Sequence, residues 1–471
     1  MVTTSGEPGP FDLVVVGGGP AGYGAALYAA SAGLAVAVVE KDKVGGTCLH
    51  RGCVPAKEFL ETANVFRTVE TAKEFGVTSG QPSIDFATTQ ARKQKVVDQL
   101  YRGLAGLMRS RGIETIAGTG RLGSDATVHL DDGTKLSGRG IFLATGSVPR
   151  TIAGFDIDGR LVMTSNEVLD LERLPASVAI IGGGAIGCEL ASMMADLGTQ
   201  VTILEAMPTL LTGCDSDIIA IVTRMFKKKG IVVRTGVSVL GHEPNAEDSG
   251  TLVRLGTGED VAVDAVVVSV GRAPATAGLV DEGSAVVVNG KGFVEVDGFM
   301  RTGADHVYAV GDIVDTPQLA HVGFAEAKVA VRDFLGENPV PVDYGRVPWC
   351  IYTHPEVAFA GMTEEAARAA GLDVVVKRDP FGGNSRARIL GETDGMVKVV
   401  AERGTGGRAG RLLGVHMVGP LVTEQLGQGY LSVNWDATPE EVGDLIQPHP
   451  TLSEAFGEAV MALSGRGLHV A

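Results

Sequence analysis

The feature that most constrains this chain is a unit that occurs twice. Residues 11–40, FDLVVVGGGPAGYGAALYAASAGLAVAVVE, and residues 177–205, SVAIIGGGAIGCELASMMADLGTQVTILE, each read as an apolar strand, a glycine turn, a helix and a second apolar strand closed by a glutamate. Gly17, Gly19 and Gly22 form GxGxxG in the first unit and Gly182, Gly184 and Gly187 in the second; Glu40 lies 23 residues after Gly17, and Glu205 lies 23 after Gly182. Glycines in that pattern let a turn approach a pyrophosphate at a helix N-terminus, and the acid at the next strand end accepts hydrogen bonds from a ribose. A lone GxGxxG says little, but a strand before it, a helix after it and an acid at the right distance predict dinucleotide binding. Both units also end alike, in ATGSVP at 144–149 and SVGRAP at 269–274, so the repeat is domain-sized. At the second site Glu205 repels a 2′-phosphate and nothing basic follows until Arg224, which predicts NAD rather than NADP.

A chain of 471 residues has room for about three domains. The expected fold class is α/β, with two Rossmann-like dinucleotide-binding domains and a C-terminal α+β dimerisation domain. Residues 1–150 form the first nucleotide domain, 151–275 the second, 276–345 return to the first, and 346–471 form the α+β domain. The formal charge of −16 and the lack of a sustained basic run exclude nucleic acid as a partner. No signal peptide opens the chain and no run of about 18 apolar residues occurs, so the expectation is a cytoplasmic protein that does not enter a membrane. The first ten residues read as a disordered polar tail, and GTGGRAG at 404–410 as a loop. On the stretch 90–112, Val96, Val97, Leu100, Leu104, Leu107 and Met108 recur at helical spacing and are expected in the core.

Residues 45–57, GGTCLHRGCVPAK, hold Cys48 and Cys53, two of only five cysteines. On a regular helix that spacing corresponds to about 7.5 Å of rise, beyond the roughly 4.4–6.8 Å Cα separation a disulfide accepts. A bond between them requires a distorted turn, for which Gly45, Gly46 and Gly52 supply freedom and Pro55 interrupts the hydrogen-bond ladder. The spacing is no metal signature, and it leaves two readings open: packed thiols, or a strained disulfide of the kind that takes part in exchange. Thiols stay reduced in the cytoplasm, where a cysteine pair is more often catalytic than structural. Cys188, Cys214 and Cys350 stand singly and read as packing residues. Asp312, just past the apolar strand VYAVG, reads either as a helix cap or as a ligand for a sugar or ribityl hydroxyl. His449, between Pro448 and Pro450, is by itself a surface-turn residue. Glu454 follows it by five positions, and a carboxylate on one ring nitrogen raises the basicity of the other, which suits a base that deprotonates a thiol.

Taken in order, GGGPAG, GGTCxxxxCVPxK, ATGS, GGGAIGCE, GRAP, YAVGD, YTHPEVA and HPTLSE closely resemble the flavoprotein disulfide reductases over nearly the whole chain, and within them the branch that oxidises dihydrolipoamide. The resemblance implies tightly but non-covalently bound FAD on the first unit, with Glu40, Lys57, Gly118, Gly146, Asp312 and Ala320 as contacts. It implies NAD on the second, with Glu205 and Gly271, and a pair between Glu189 and Lys57. It makes Cys48 the thiol that exchanges with substrate, Cys53 the one facing the flavin, and His449, supported by Glu454, the base. It also implies a homodimer in which this histidine serves the other subunit, and lipoyl domains of 2-oxo acid dehydrogenase complexes as partners. The alternative is a reductase of another small disulfide or of quinones. Three positions depart from or refine the pattern: His50 and Arg51 put cations between the cysteines, which should lower a thiol pKa, and Gln447 replaces a histidine common in relatives. Ala185 stands where glutathione-type relatives carry a gating tyrosine, which favours the lipoamide branch.

Overall fold

The computed structural model describes residues 11–247, 249–404 and 408–469. The N-terminal tail and residues 405–407 of the expected loop lie outside them; Ala409 and Gly410, at that loop's end, belong to a strand.

The first repeat opens with β1 (Phe11–Val16), α1 (Pro20–Ser31) and β2 (Val36–Glu40), followed by α2 (Gly46–Arg51), α3 (Cys53–Thr71), α4 (Phe86–Ser110) and β3 (Glu114–Ala117). A small antiparallel sheet of β4 (Gly120–Leu122), β5 (Val128–Leu130) and β6 (Lys135–Leu136) precedes β7 (Gly138–Leu143) and β8 (Ser147–Pro149). After β9 (Val162–Met163) and α5 (Ser165–Val168), the second repeat comprises β10 (Ser177–Ile181), α6 (Ala185–Asp196), β11 (Gln200–Glu205), α7 (Ser216–Lys228) and β12 (Val232–Thr235). An antiparallel insert of β13 (Val239–Pro244), β14 (Thr251–Leu255) and β15 (Asp260–Val263) leads to β16 (Ala265–Val268) and β17 (Arg272–Pro274). The chain then returns to the first sheet through β18 (Val307–Ala309) and α8 (Ala320–Phe334).

Both large sheets are parallel, in the orders β18-β7-β1-β2-β3 and β12-β11-β10-β16-β9. Four strands correspond between them, β1, β2, β3 and β7 matching β10, β11, β12 and β16. Each sheet takes its fifth strand from outside the repeat, the first from far downstream and the second from just upstream. Strands such as Leu13–Val16 and Ala265–Val268 are buried along their whole length, as parallel strands covered on both faces require. β8 and β17, the matching ends of the two repeats, pair antiparallel with each other, Ser147 opposite Pro274 and Pro149 opposite Arg272.

The C-terminal part is the expected α+β unit. β19 (Trp349–Ile351), β20 (Glu356–Gly361), α9 (Glu364–Ala369), β21 (Val374–Pro380), α10 (Ser385–Leu390), β22 (Met396–Arg403) and β23 (Ala409–Gly419) build an antiparallel sheet of order β19-β20-β23-β22-β21. α11 (Val422–Asn434), α12 (Pro439–Gly443) and α13 (Glu454–Leu463) complete it. A fully buried phenylalanine anchors each main core, Phe142, Phe226 and Phe381; truncating such a ring costs about 3–5 kcal/mol. Lys398 on β22, 1% exposed, ties this sheet to the start of α7, its Nζ lying 2.9 Å from Asp215 and 2.6 Å from Asp217.

One expectation for the core is corrected. Val97 and Met108 are buried, and Val96 and Leu104 are half-buried, but Leu100 and Leu107 are exposed, at 48% and 41%. α4 buries a single narrow seam, and positions 100 and 107, two turns apart, share the edge that faces away from it.

Asp379 at the end of β21 is buried beside Glu458 of α13, whose carboxylate also accepts the Leu468 and His469 amides and His469 Nδ1 at 3.2, 3.0 and 2.8 Å. Burial, reinforced by Glu458 and opposed by His469, pushes Asp379 up to about 7. Its folded pKa thus exceeds the ordinary value of about 3.9, so the associated stability is full below about pH 4 and is lost as the pH rises through 7. Asp379→Asn is expected to raise the melting temperature by about 2–4 °C at pH 8 and by less at pH 5, as thermal unfolding at the two pH values will read.

Candidate active site

The first glycine turn and the cysteine segment touch. Gly46, with φ +56°, opens α2 against Gly19, and a Cβ on it would lie 2.6 Å from the Gly19 Cα. A side chain there would push the cysteine helix off the turn. α2 stops at Gly52 and α3 restarts at Cys53, and this break brings the two cysteine Cα atoms to 4.6 Å, where the pair is disulfide-bonded. Of the two readings the spacing left open, the disulfide is the one the structure adopts.

His50 Nε2 lies 2.9 Å from the Val44 carbonyl, and Arg51 pairs with Asp42. Both side chains between the cysteines are therefore engaged in holding the segment, and the Arg51 charge is matched by a carboxylate.

A cavity of about 450 Å³ runs along this surface, within the usual size range for ligand sites. Its wall includes Gly17, Gly19 and Glu40 at one end, Cys48, Cys53 and Lys57 further on, and Gly118, Gly146, Asp312, Ala320 and Glu189 around it. Eleven of the expected site residues are thus gathered on one wall. Gly22 is not among them; it packs under the turn, where a Cβ would meet the Gly17 carbonyl oxygen at 1.8 Å. Gly182, Gly184, Gly187, Glu205 and Gly271 belong to the second repeat, off this wall. Ala185 does reach the wall, so the cavity extends to the start of α6.

The two carboxylates are held alike. Glu40 accepts the Gly18 amide at 2.7 Å and the Asp42 amide at 2.9 Å, while Glu205 accepts the Gly183 amide at 2.5 Å and the Met207 amide at 2.6 Å. Each acid is thereby fixed at the mouth of its glycine turn. At Gly184 nothing lies within 4 Å of where a Cβ would stand, so the backbone is open to a pyrophosphate. Arg234, beside Leu204 on the neighbouring strand, is held by Glu259 at 2.6 Å. The donor set fits two dinucleotides, with an acid at each ribose position.

Lys57, one turn after Cys53, donates to both oxygens of Glu189 at 2.9 and 2.8 Å, which is the pair expected from the sequence. Glu189 also accepts the Tyr352 amide at 2.9 Å, and the ammonium stands 4.7 Å over the Tyr352 ring. Asp312 bonds Ser147, whose hydroxyl accepts Arg272 Nε at 2.6 Å; burial pulls the Arg272 guanidinium down from its ordinary pKa while Asp312 opposes it. Ser147, Arg272 and Tyr352 are site residues the sequence reading missed. For Ser147 and Arg272 the signal was the shared ending of the repeats, whose strands β8 and β17 pair; Tyr352 lies in YTHPEVA, outside the repeats.

His449 Nδ1 lies 2.8 Å from Glu454 Oε1, and Glu454 Oε2 accepts the Thr451 amide at 2.7 Å. The dyad is formed, yet the histidine is 68% exposed and is not on the wall of this chain's own cavity. Of the free cysteines, Cys188 and Cys214 pack in the core as expected, whereas Cys350 lies on the cavity wall. Burial raises all three thiols, Cys214 to about 12 and Cys350 to about 11. Among the described residues no cluster suited to a metal ion occurs, and no helix is long and apolar enough to cross a membrane.

Comparison with known proteins agrees with this geometry. Residues 11–327 match the pyridine nucleotide-disulphide oxidoreductase model, and residues 347–460 match the dimerisation domain of the same group. A dihydrolipoyl dehydrogenase of Bacillus subtilis is 42% identical, over 98% of this chain and 99% of that protein. A dihydrolipoyl dehydrogenase of Thermus scotoductus is 37% identical at the same coverage. Among solved structures, LpdA from Mycobacterium tuberculosis superposes with a TM-score of 0.89 at 26% identity, over 96% of this chain and 99% of that one. The HOCl-induced flavoprotein disulfide reductase RclA from Escherichia coli superposes with a TM-score of 0.85 at 28% identity and the same coverage. With both models matched in order and the similarity running the length of the chain, the protein belongs to the pyridine nucleotide-disulphide oxidoreductase family.

Proposed function

We propose that the chain is a dihydrolipoamide dehydrogenase, oxidising dihydrolipoyl groups with NAD⁺. The observation that carries this reading is the Cys48–Cys53 disulfide on the wall of a cavity that starts at Glu40, so that an exchangeable sulfur pair borders the space in which a flavin fits. The names of the Bacillus and Thermus relatives supply the substrate class.

FAD held along the first repeat would supply two-electron chemistry between the cysteine pair and a nicotinamide held by the second. The Gly17–Gly22 turn and Glu40 would hold its adenosine end, Gly118, Gly146, Asp312 and Ala320 would hold the remainder, and Lys57, oriented by Glu189, would serve the flavin ring. Gly182, Gly184, Gly187, Glu205 and Gly271 would hold NAD.

The cysteines do the sulfur chemistry. His449 of the partner subunit takes the proton of one dihydrolipoyl thiol, whose thiolate attacks Cys48 Sγ; a mixed disulfide forms, the Cys48–Cys53 bond breaks and Cys53 leaves as a thiolate. The second dihydrolipoyl thiol gives its proton to solvent and attacks the substrate sulfur of the mixed disulfide. The lipoyl ring closes, Cys48 leaves as a thiolate, and two electrons have passed from substrate to the pair. Exchange rates follow thiolate fraction and access, so a base is needed for speed. Glu454 on Nδ1 fixes the tautomer and leaves Nε2 as the basic nitrogen.

The dimerisation domain supports a homodimer, and His449, exposed on that domain, suits a site completed across the interface. Lipoyl domains of 2-oxo acid dehydrogenase complexes are the macromolecular partners this activity requires. Three free cysteines beside one exchangeable pair suit the reducing cytoplasm. The test is turnover of the FAD-loaded protein: NAD⁺ reduction by dihydrolipoamide, and NADH oxidation with lipoamide, other low-molecular-weight disulfides and quinones side by side. The proposal predicts lipoamide as the preferred disulfide; no NAD⁺ reduction by dihydrolipoamide, or a clear preference for another acceptor, ends it.

A further inference from the structure

α6 is an apolar helix, AIGCELASMMAD, that carries three polar side chains in buried surroundings: Glu189, Ser192 and Asp196. Their spacing of three and four residues puts them in one stripe on a single helix face. Buried polar groups need partners, and every side-chain partner of this stripe comes from another element. Glu189 holds Lys57 of α3 and the Tyr352 amide. The Ser192 hydroxyl accepts the His354 amide at 3.0 Å. Asp196 accepts Arg67 of α3 at 2.5 Å and, through both oxygens, Lys229 at the C-terminal end of α7 at 2.6 and 2.8 Å.

α3 and α6 are therefore joined at two ionic points. Lys57 and Arg67 stand about 15 Å apart along α3, and Glu189 and Asp196 about 10.5 Å apart along α6, at 1.5 Å per residue. Between those points the contact is apolar, with Leu60, Ala63 and Ala191 in one core cluster. An apolar contact between two helices tolerates small slides and rotations, whereas two separated ionic contacts fix both slide and crossing angle. One of these points lies at the cavity. The other is remote from it, with Asp196 only 6% exposed.

We propose that Asp196 is a positioning residue for the redox site: by gripping Arg67 and Lys229 it sets the register of α3 against α6, and so keeps Lys57 on Glu189 one turn from Cys53. The inference rests on the reading that Lys57 stands beside a flavin. Asp196 touches no part of the cavity and acts through the helix pair alone.

The experiment is a double-mutant cycle on the holoenzyme with Asp196→Asn, Glu189→Gln and both together, read by kcat and by the visible absorption band of the bound flavin. Misplacing Lys57 is expected to lower kcat about 10-fold in each single variant and to alter the flavin band in the same sense. Because both changes break the same arrangement, the double variant should also fall about 10-fold, short of the roughly 100-fold of independent effects. A multiplicative loss, or a flavin band untouched by Asp196→Asn, overturns the proposal. Should Asp196→Asn not fold, Arg67→Lys, which keeps the charge and loses the planar fork, takes its place in the same cycle under the same criteria. Absence of dihydrolipoamide turnover in the unaltered protein would instead overturn the function, which separates the two failures.

Discussion

Cys48→Ser is expected to abolish dihydrolipoamide-driven NAD⁺ reduction, a loss of at least about 10³-fold, while NADH still reduces an artificial electron acceptor. The two activities divide because they use different parts of the site. The dithiol reaction requires a sulfur–sulfur bond that a substrate thiolate can open, and a serine hydroxyl forms no such bond. Reduction of an artificial acceptor needs only the two nucleotide sites, which the substitution leaves intact: Glu40 and Glu205 keep their backbone amides, and Lys57 keeps Glu189. Anaerobic flavin absorbance on adding NADH, followed beside steady-state turnover with lipoamide, separates the outcomes. Lipoamide turnover that survives the substitution would mean that the cysteine pair is not the conduit.

The second large effect belongs to His449. His449→Gln should lower the dithiol reaction by about 10²- to 10⁴-fold, the range for a lost general base, with flavin content unchanged because the substitution leaves the residues that line the nucleotide cavity in place. Glutamine keeps a polar side chain opposite Glu454 Oε1, so the variant tests proton transfer with little change in packing. A rise in the variant's rate as the pH approaches the ordinary thiol pKa of about 8.5 is part of the expectation, since bulk hydroxide then replaces the missing base. A loss smaller than 10-fold would remove His449 from the mechanism.

Much of this architecture was legible in the sequence because it depends on local rules. The glycine turns and their acids lie within single βαβ units, so a fixed offset identifies them, and the backbone repeats as closely as the spacing does. A Cβ on Gly17 would sit 2.3 Å from the Ala144 carbonyl oxygen, and one on Gly182 would sit 2.3 Å from that of Ser269. That a Cys48–Cys53 bond would need a break between them followed from helix rise and the glycines around it; whether the bond forms was decided by the structure.

What was not legible arises from contacts between distant segments. Ser147 and Arg272 meet only because the ends of the two repeats pair with each other. The fifth strand of each sheet comes from outside the repeat that builds the other four, which periodicity within the repeat does not reveal. Leu100 and Leu107 fit the same helical pattern as Val97 and Met108, and only the packing of α4 decides which stripe turns inward. The stripe on α6 looks in sequence like three stray polar residues in a buried helix, and it acquires meaning from Arg67, Lys229 and His354, none of which lies near it in the chain.

The exposed His449, separated from the sulfur pair of its own chain, has a genetic corollary. If each centre draws its cysteines from one polypeptide and its base from the other, two inactive alleles can rescue one another. Co-expressing Cys48→Ser chains with His449→Gln chains would give mixed assemblies in which one centre carries both lesions and the other carries neither. With random association about half of the dimers are mixed, so about a quarter of all centres would regain full competence from two parents that each have essentially none.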